Sequence, residues 1–504
     1  MSPLREAETE SAPRPEQRES TERRNARARK HAVFPLPLSP FERLFHAEDS
    51  PAYPIQFFCR LRFRGQLRQS VLNQALAVAL ARHPLLTATV RPARDGSLHW
   101  LAGTGPMPRV HCLNEEPCAG FPQAGHIDIR SRSGLHAAVV LGSKSSDLVL
   151  QFHHAACDGV GAFDFTSDLL TAYANMSAGT NRYRFKPLDV GRLPGRGALL
   201  LSGWQLFRWA VRRLPSVPAL WRWFRRKPAP LIPHRPNFEE TAPPLAFPEA
   251  CVHHFCREES AALAALAQGS ETSLNSFLAR DLILALDHWR GQNNLPADEC
   301  LRLMLPISMR SAGDRRMPAA NVVSTAYLDH FPPDRRDDDH LLRRIHRLME
   351  DIKHHNLGLA WLLALRLLER MPRAWSKARR SRRRCMYSAL FTNIGPVLAA
   401  SPLPRVDRCL VVGDTVLEEV EFLPVTRPLQ CLGVAVTSYA GRMSLGMRYD
   451  SRVLNADQVQ QIMNTYVDRL RTSGGFVRRK DSDHQTTGAG LVTAVERGHS
   501  LGVK

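Results

Sequence analysis

Two rhythms of hydrophobic and polar positions run along the chain. From Ile55 to Phe63 the period is two. Phe57, Cys59, Leu61 and Phe63 fall on one face and Phe58, Arg60 and Arg62 on the other, the pattern of a half-buried strand. After Gly65, Leu67, Val71, Ala75, Val78 and Ala79 recur at helical spacing. Pro84 ends that run, because the residue before a proline is pushed out of the helical region. Leu85–Arg91, Leu135–Leu141 and Leu148–Phe152 read as further strands. The stretch from Ala162 to Asn175 reads as an amphipathic helix with Phe163, Leu169, Leu170 and Tyr173 toward the core. A second series starts at Cys251–Cys256, a strand. Helices over Ser260–Ala267 and Leu274–Trp289 follow it. Strands over Leu301–Ile307, Val322–Leu328, Tyr387–Phe391, Leu432–Ser438 and Met443–Tyr449 come next, and a helix over Ala456–Leu470 closes the series. Strands and helices mix in both halves, which predicts α/β sandwiches in two lobes.

The segment Gly191–Phe238 breaks this pattern. It holds four of the eight tryptophans (Trp204, Trp209, Trp221 and Trp223), many arginines, and no Asp or Glu. Leu199–Leu214 and Val217–Phe224 read as short basic helices broken by Pro215 and Pro218. Such a segment either lies on a membrane surface or forms a lid with its tryptophans packed inward. A second basic run, Arg366–Arg384, surrounds Pro372 and Trp375. Residues 1–33 and 475–504 carry no hydrophobic period and read as loose tails. The expected division is a tail 1–33, a first lobe 34–190, a basic linker or lid 191–246, a second lobe 247–474 and a tail 475–504.

Charge narrows the set of partners. The net charge of the 504-residue chain is +20, which favours polyanions such as nucleic acid, anionic lipid, an acidic carrier protein or a phosphorylated cofactor. No helix-turn-helix, zinc-finger or RNA-binding aromatic signature supports nucleic acid. The ten cysteines are irregularly spaced, and no secretory signal is visible. Reduced thiols and a cytoplasmic location, possibly peripheral to a membrane, are the expectation.

Chemistry concentrates in QFHHAACDGVGAFDF, Gln151 to Phe165. Adjacent histidines on a strand point to opposite faces, so one metal ion cannot take both. The same objection holds for Cys251, His253, His254 and Cys256, where a strand forbids four tetrahedral ligands from converging. No metal is expected. A histidine at a strand end is rigidly held yet open to a cleft, and its ordinary pKa of about 6.5 suits a general base. A turn whose histidines only hydrogen-bond contains the same residue types.

The pattern His-His-x-x-x-Asp-Gly resembles the signature of the chloramphenicol-acetyltransferase-like superfamily. That group holds nonribosomal peptide synthetase condensation domains, wax ester synthases, alcohol acyltransferases and polyketide-associated acyltransferases. Four further stretches resemble the family in order: Ala81–Val90 (ARHPLLTATV), Leu305–Arg310 (LPISMR), Phe391–Gly395 (FTNIG) and Ser438–Asp450 (SYAGRMSLGMRYD). The resemblance spans roughly residues 34–472.

It implies an α/β fold of two chloramphenicol-acetyltransferase-like lobes. These would form a V-shaped pseudodimer with an active-site tunnel between them. It implies an acyltransferase moving an acyl group from acyl-CoA or an acyl carrier protein to an alcohol or amine. His154 would be the general base, His153 would set the loop, and Asp158 would be architectural with Arg310 as its cross-lobe partner. Gly159 would shape the turn, and its backbone amide is a candidate oxyanion donor. Asn393 would shape the tunnel or polarise a carbonyl. No cofactor is implied, since phosphopantetheine arrives with the donor. The chain shows no carrier or adenylation segment, so a stand-alone enzyme is expected. The alternative is a non-catalytic relative that binds a carrier protein or a membrane surface.

Overall fold

The computed structural model describes residues 33–476, apart from 114–119, most of 198–225, 233–242, 245, 270–271, 336, 370, 372–384 and 428–429. Both tails and most of the tryptophan- and arginine-rich linker therefore lie outside the described residues, as does most of the second basic run.

In the first half the strands are β1 (Leu36–Pro37), β2 (Gln56–Arg64), β3 (Thr89–Pro92), β4 (Leu98–Leu101), β5 (Val110–Leu113), β6 (Leu135–Leu141) and β7 (Ser145–His153). The second half supplies β8 (Glu249–His254), β9 (Leu301–Ser308), β10 (Val323–His330), β11 (Ala389–Pro396), β12 (Arg405–Val406), β13 (Cys409–Val412), β14 (Thr415–Leu423), β15 (Leu432–Tyr439) and β16 (Arg442–Tyr449). The helices are α1 (Pro40–Glu48), α2 (Gln69–Arg82), α3 (Gly159–Ser177), α4 (Arg257–Gly269), α5 (Leu274–Gln292), α6 (Asp338–His354), α7 (Leu357–Glu369) and α8 (Ala456–Ser473).

Two large sheets organise the molecule. One has seven strands in the order β12-β13-β14-β2-β7-β6-β5, and the other six in the order β10-β9-β11-β15-β16-β8. Helices α2 and α3 pack together beside the first sheet's core, while α5 and α8 pack together beside the second. The sheets do not divide the chain at one point. Arg405–Leu423 lies within the range expected for the second lobe, yet β14 pairs antiparallel with β2, from Val416↔Arg64 to Leu423↔Phe58. The second half thus hydrogen-bonds into the first sheet. Helix α7 adds another link by packing on both β10 and α1.

That crossing corrects the reading of β2 as half-buried. Phe58 and Arg60 are buried like Phe57 and Cys59. The supposed solvent face meets a small second core of Phe121, Val149, Phe247 and Leu423. Arg60 is buried because Glu421 of β14 accepts from it at 2.7 Å and Gly120 O at 2.6 Å. A second correction concerns Leu85–Arg91. Pro84–Thr87 forms a 3-10 turn, with Leu85 and Leu86 plugged into the core, and the strand begins only at Thr89. Among the described residues, no helix is long and apolar enough to cross a membrane.

Candidate active site

Strand β7 ends at His153, and α3 begins at Gly159. The five-residue turn between them is held from both halves of the chain. His153 is fully buried; its backbone N–H donates to Gly134 O at 2.9 Å, and its Nδ1 accepts from the Ala155 N–H at 3.1 Å. The His154 N–H donates to Ile55 O at 2.9 Å, and its carbonyl accepts from Asn321 Nδ2 at 2.8 Å. One bond comes from the segment entering β2, the other from the segment entering β10.

The His154 ring lies between aromatic walls. Its centroid is 4.5 Å from Phe45 and 5.2 Å from Phe57. Phe422 of β14 stands 5.2 Å from Phe57 and 6.1 Å from Phe163. Burial in this box lowers the His154 pKa to about 4, and the nearby Asp158 carboxylate and the residue's own carbonyl offset only part of that. The imidazole is therefore neutral at neutral pH.

Asp158 caps α3, with Oδ1 accepting from the Gly161 N–H at 2.8 Å. Its Oδ2 accepts from Arg310 Nη1 at 2.5 Å and from the Val322 N–H at 2.8 Å. Arg310 Nη2 also reaches Ala320 O at 3.0 Å. Burial works against the Arg310 charge, but the Asp158 carboxylate outweighs it and raises its pKa. The carboxylate thus accepts three hydrogen bonds, two from backbone N–H groups and one from the guanidinium. Gly159 and Gly161 are needed for close approach. A Cβ at Gly159 would come within 2.9 Å of Ile394 Cδ1, and one at Gly161 within 3.1 Å of Ala320 N. Asn393 Nδ2 donates to Asn275 Oδ1 at 2.6 Å and its Oδ1 accepts from the Gly395 N–H at 2.8 Å. Both ends of its amide are engaged, and its neighbour Ile394 is the residue that packs against Gly159. Cys157 is buried and its thiol is pushed well up by burial, so it is a packing residue.

Three contributors carried no signal in the pattern. Asn321 reaches His154 from 167 positions away. His83 accepts from the Ala319 N–H at 2.8 Å through Nδ1 and meets Asp168 at 3.0 Å through Nε2, anchoring the 319–322 segment on the first lobe. Phe45 sits on α1, a helix with no predicted counterpart.

The second histidine pair lies apart from this turn. His254 meets Ser444 Oγ and Glu421 Oε1, each at 2.9 Å. With Glu419 it forms the described residues' one trio with metal-ligand spacing. Both ring nitrogens of His254 are engaged and Glu421 already holds Arg60, so the trio is an ion-pair clasp between β8 and β14. His253→Ala and His254→Ala are expected to retain turnover within about twofold. His254→Ala should also lower the melting temperature. Loss of turnover in a folded variant would displace the active site from the β7–α3 turn.

No family model matches the sequence, and no curated protein is similar to it at the level of sequence. Solved structures decide the fold. The first condensation domain of the calcium-dependent antibiotic synthetase, in complex with a substrate analogue, aligns at TM-score 0.62 and 14% identity, covering 87% of this chain and 96% of that one. The chain has the chloramphenicol-acetyltransferase-like, two-lobed fold. Trichothecene 15-O-acetyltransferase from Fusarium sporotrichioides shares it at TM-score 0.62 and 13% identity, over 87% of this chain and 95% of the other. So does the starter condensation domain of rhizomide synthetase in complex with C8-CoA, at TM-score 0.61 and 14% identity, over 88% and 95%. Within this two-lobed fold, His154 stands where β2, β7, β14 and the 319–322 segment meet.

Proposed function

We propose that the protein is an acyltransferase that moves an acyl group from a thioester to an alcohol or amine, with His154 as general base. The observation that carries this is the neutral His154 ring, held in an aromatic box by backbone bonds from both lobes. Its Nδ1 is buried with no hydrogen-bond partner, and we assign the proton transfer to Nε2. Nε2 takes the proton of the acceptor O–H or N–H as the acceptor attacks the thioester carbonyl. The tetrahedral oxyanion collapses, the C–S bond breaks, and the thiolate receives the proton back from His154. The Asp158–Arg310 pair holds the turn and takes no part in proton transfer.

A cleft of about 360 Å³ lies beside the turn, lined by Val160, Phe163 and Ile394 together with Arg184 and Lys186. Its apolar part suits an acyl chain; at its polar end Lys186 is paired with Asp164, and Asp168 also lines the cleft, so Arg184 is the cation offered to a donor phosphate. The test is thiol release from acyl-CoAs of graded length and from acyl-loaded carrier protein, with alcohols and amines as acceptors. No release from any donor would remove the transferase reading.

The pH profile gives a sharper check. Below its pKa His154 is protonated and cannot accept a proton, so kcat/KM should fall as the pH drops through about 4. Phe45→Ala lets water reach the ring, which raises its pKa toward the ordinary value of about 6.5. The acid limb should then move upward. An unmoved limb would mean that another group controls it.

A further inference from the structure

Behind the β7–α3 turn, a carboxylate with no role in proton transfer gathers two hydrogen-bond donors and the close approach of a third nitrogen. Asp49 caps the C-terminal end of α1, and only 8% of its side chain is exposed. Its Oδ1 accepts from the Ile55 N–H at 2.9 Å. Its Oδ2 meets His126 Nε2 at 2.6 Å and faces His153 Nε2 at 3.4 Å. Burial works to raise the Asp49 pKa, but the hydrogen bond from His126 and the nearby His153 imidazole outweigh it and hold the carboxyl well below its usual range. Asp49 is therefore a persistent buried anion.

Two routes lead from this anion to His154. In the first, His153 Nδ1 is occupied as an acceptor by the Ala155 N–H, which leaves Nε2 to carry the ring proton, 3.4 Å from Asp49 Oδ2 and with no closer hydrogen-bond partner. The carboxylate thereby sets the tautomer and orientation of the residue preceding the base. In the second, Asp49 holds the Ile55 N–H while the Ile55 carbonyl holds the His154 N–H. Asp49 thus lies one residue removed from the bond that holds the peptide group preceding the base. His126 comes from the loop before β6 and anchors Asp49 from outside the helix. Without His126, the anion would lose its shortest hydrogen bond.

We propose that Asp49, held by His126, is the positioning residue that orients the His153–His154 pair for transfer. This rests on the reading of His154 as the base. Asp49→Asn removes the charge and places an amide N–H₂ or a weaker acceptor opposite two donors. We expect kcat to fall between about tenfold and a hundredfold, with KM changed by less than about twofold, since the acyl and acceptor surfaces are untouched. The His154 ring resonances, assigned with His154→Gln, should shift in the Asp49→Asn spectrum. His126→Leu should behave in the same way, whereas His126→Gln, whose amide still donates, should keep most of the activity.

Wild-type kcat together with unmoved His154 resonances in Asp49→Asn would overturn the proposal. So would an equal loss in His126→Gln and His126→Leu. If the wild type releases no thiol from any donor, the transferase reading fails by itself and the resonances still decide the positioning role. If Asp49→Asn does not fold, the two His126 variants carry the same comparison.

Discussion

His154→Ala is expected to cut thioester-dependent transfer by about 10²–10⁴-fold, the usual contribution of a positioned general base, while leaving the fold in place. The fold should survive because the main-chain bonds of residue 154, to Ile55 O and from Asn321 Nδ2, do not involve the imidazole. The ring is lost from between Phe45 and Phe57, and that space admits water. Residual transfer should remain, since a bound donor and acceptor still gain from proximity. Thiol release should be followed beside circular dichroism and a urea midpoint. Release equal to wild type would remove His154 from its role. Loss of release together with loss of structure would be reassessed with His154→Gln, which preserves bulk.

Arg310→Ala should cost about 3–5 kcal/mol of stability. The Asp158 side chain is only 2% exposed and Arg310 only 13%. Removing the guanidinium leaves a carboxylate sealed between the lobes with two backbone N–H donors and no counter-ion. That loss compares with a total stability of roughly 5–15 kcal/mol for a typical protein. Turnover should fall as well. Arg310 Nη2 holds Ala320 O, and the next residue, Asn321, holds the His154 carbonyl. The paired variant Asp158→Ala/Arg310→Ala should be less damaging than the sum of the two, because it removes the stranded charge. Additive losses in urea unfolding would show that the two side chains do not act as a pair.

The strands and helices that surround the turn were legible because their burial is one-sided or complete over many residues. Strands β7 and β16 and helices α3, α5 and α8 follow their hydrophobic periods to within a few residues. Strand β14 was missed because Thr415–Leu423 carries Glu418, Glu419 and Glu421 among its apolar positions. Those acids are tolerated because β2 sets Arg60, Arg62 and Arg64 against them. Each strand looks ill-suited to burial by itself, and only their pairing explains both. Helix α6 was missed for a similar reason. Its polar face is rich in charge, and only a narrow row of Leu341, Leu342, Ile345, Met349 and Ile352 is buried. Phe45 and Asn321 left no trace in spacing because their roles depend on distances across the fold.

By itself the sequence determined the β7–turn–α3 unit: a buried strand, two histidines at its end, an Asp cap and two glycines. Those features follow from neighbours a few residues apart, through alternation, capping and the room a missing Cβ leaves. Tertiary structure alone decided what surrounds that unit. Phe45 comes from α1 and Phe57 from β2, with Phe422 of β14 packed against Phe57, and burial there lowers the His154 pKa to about 4. The family resemblance already names Arg310 as the cation that answers Asp158, and the fold is what brings it there from 152 positions away. Local pattern can specify which groups a turn carries, but their charge state depends on dielectric and counter-ions, and these are set by whatever the folded chain brings alongside.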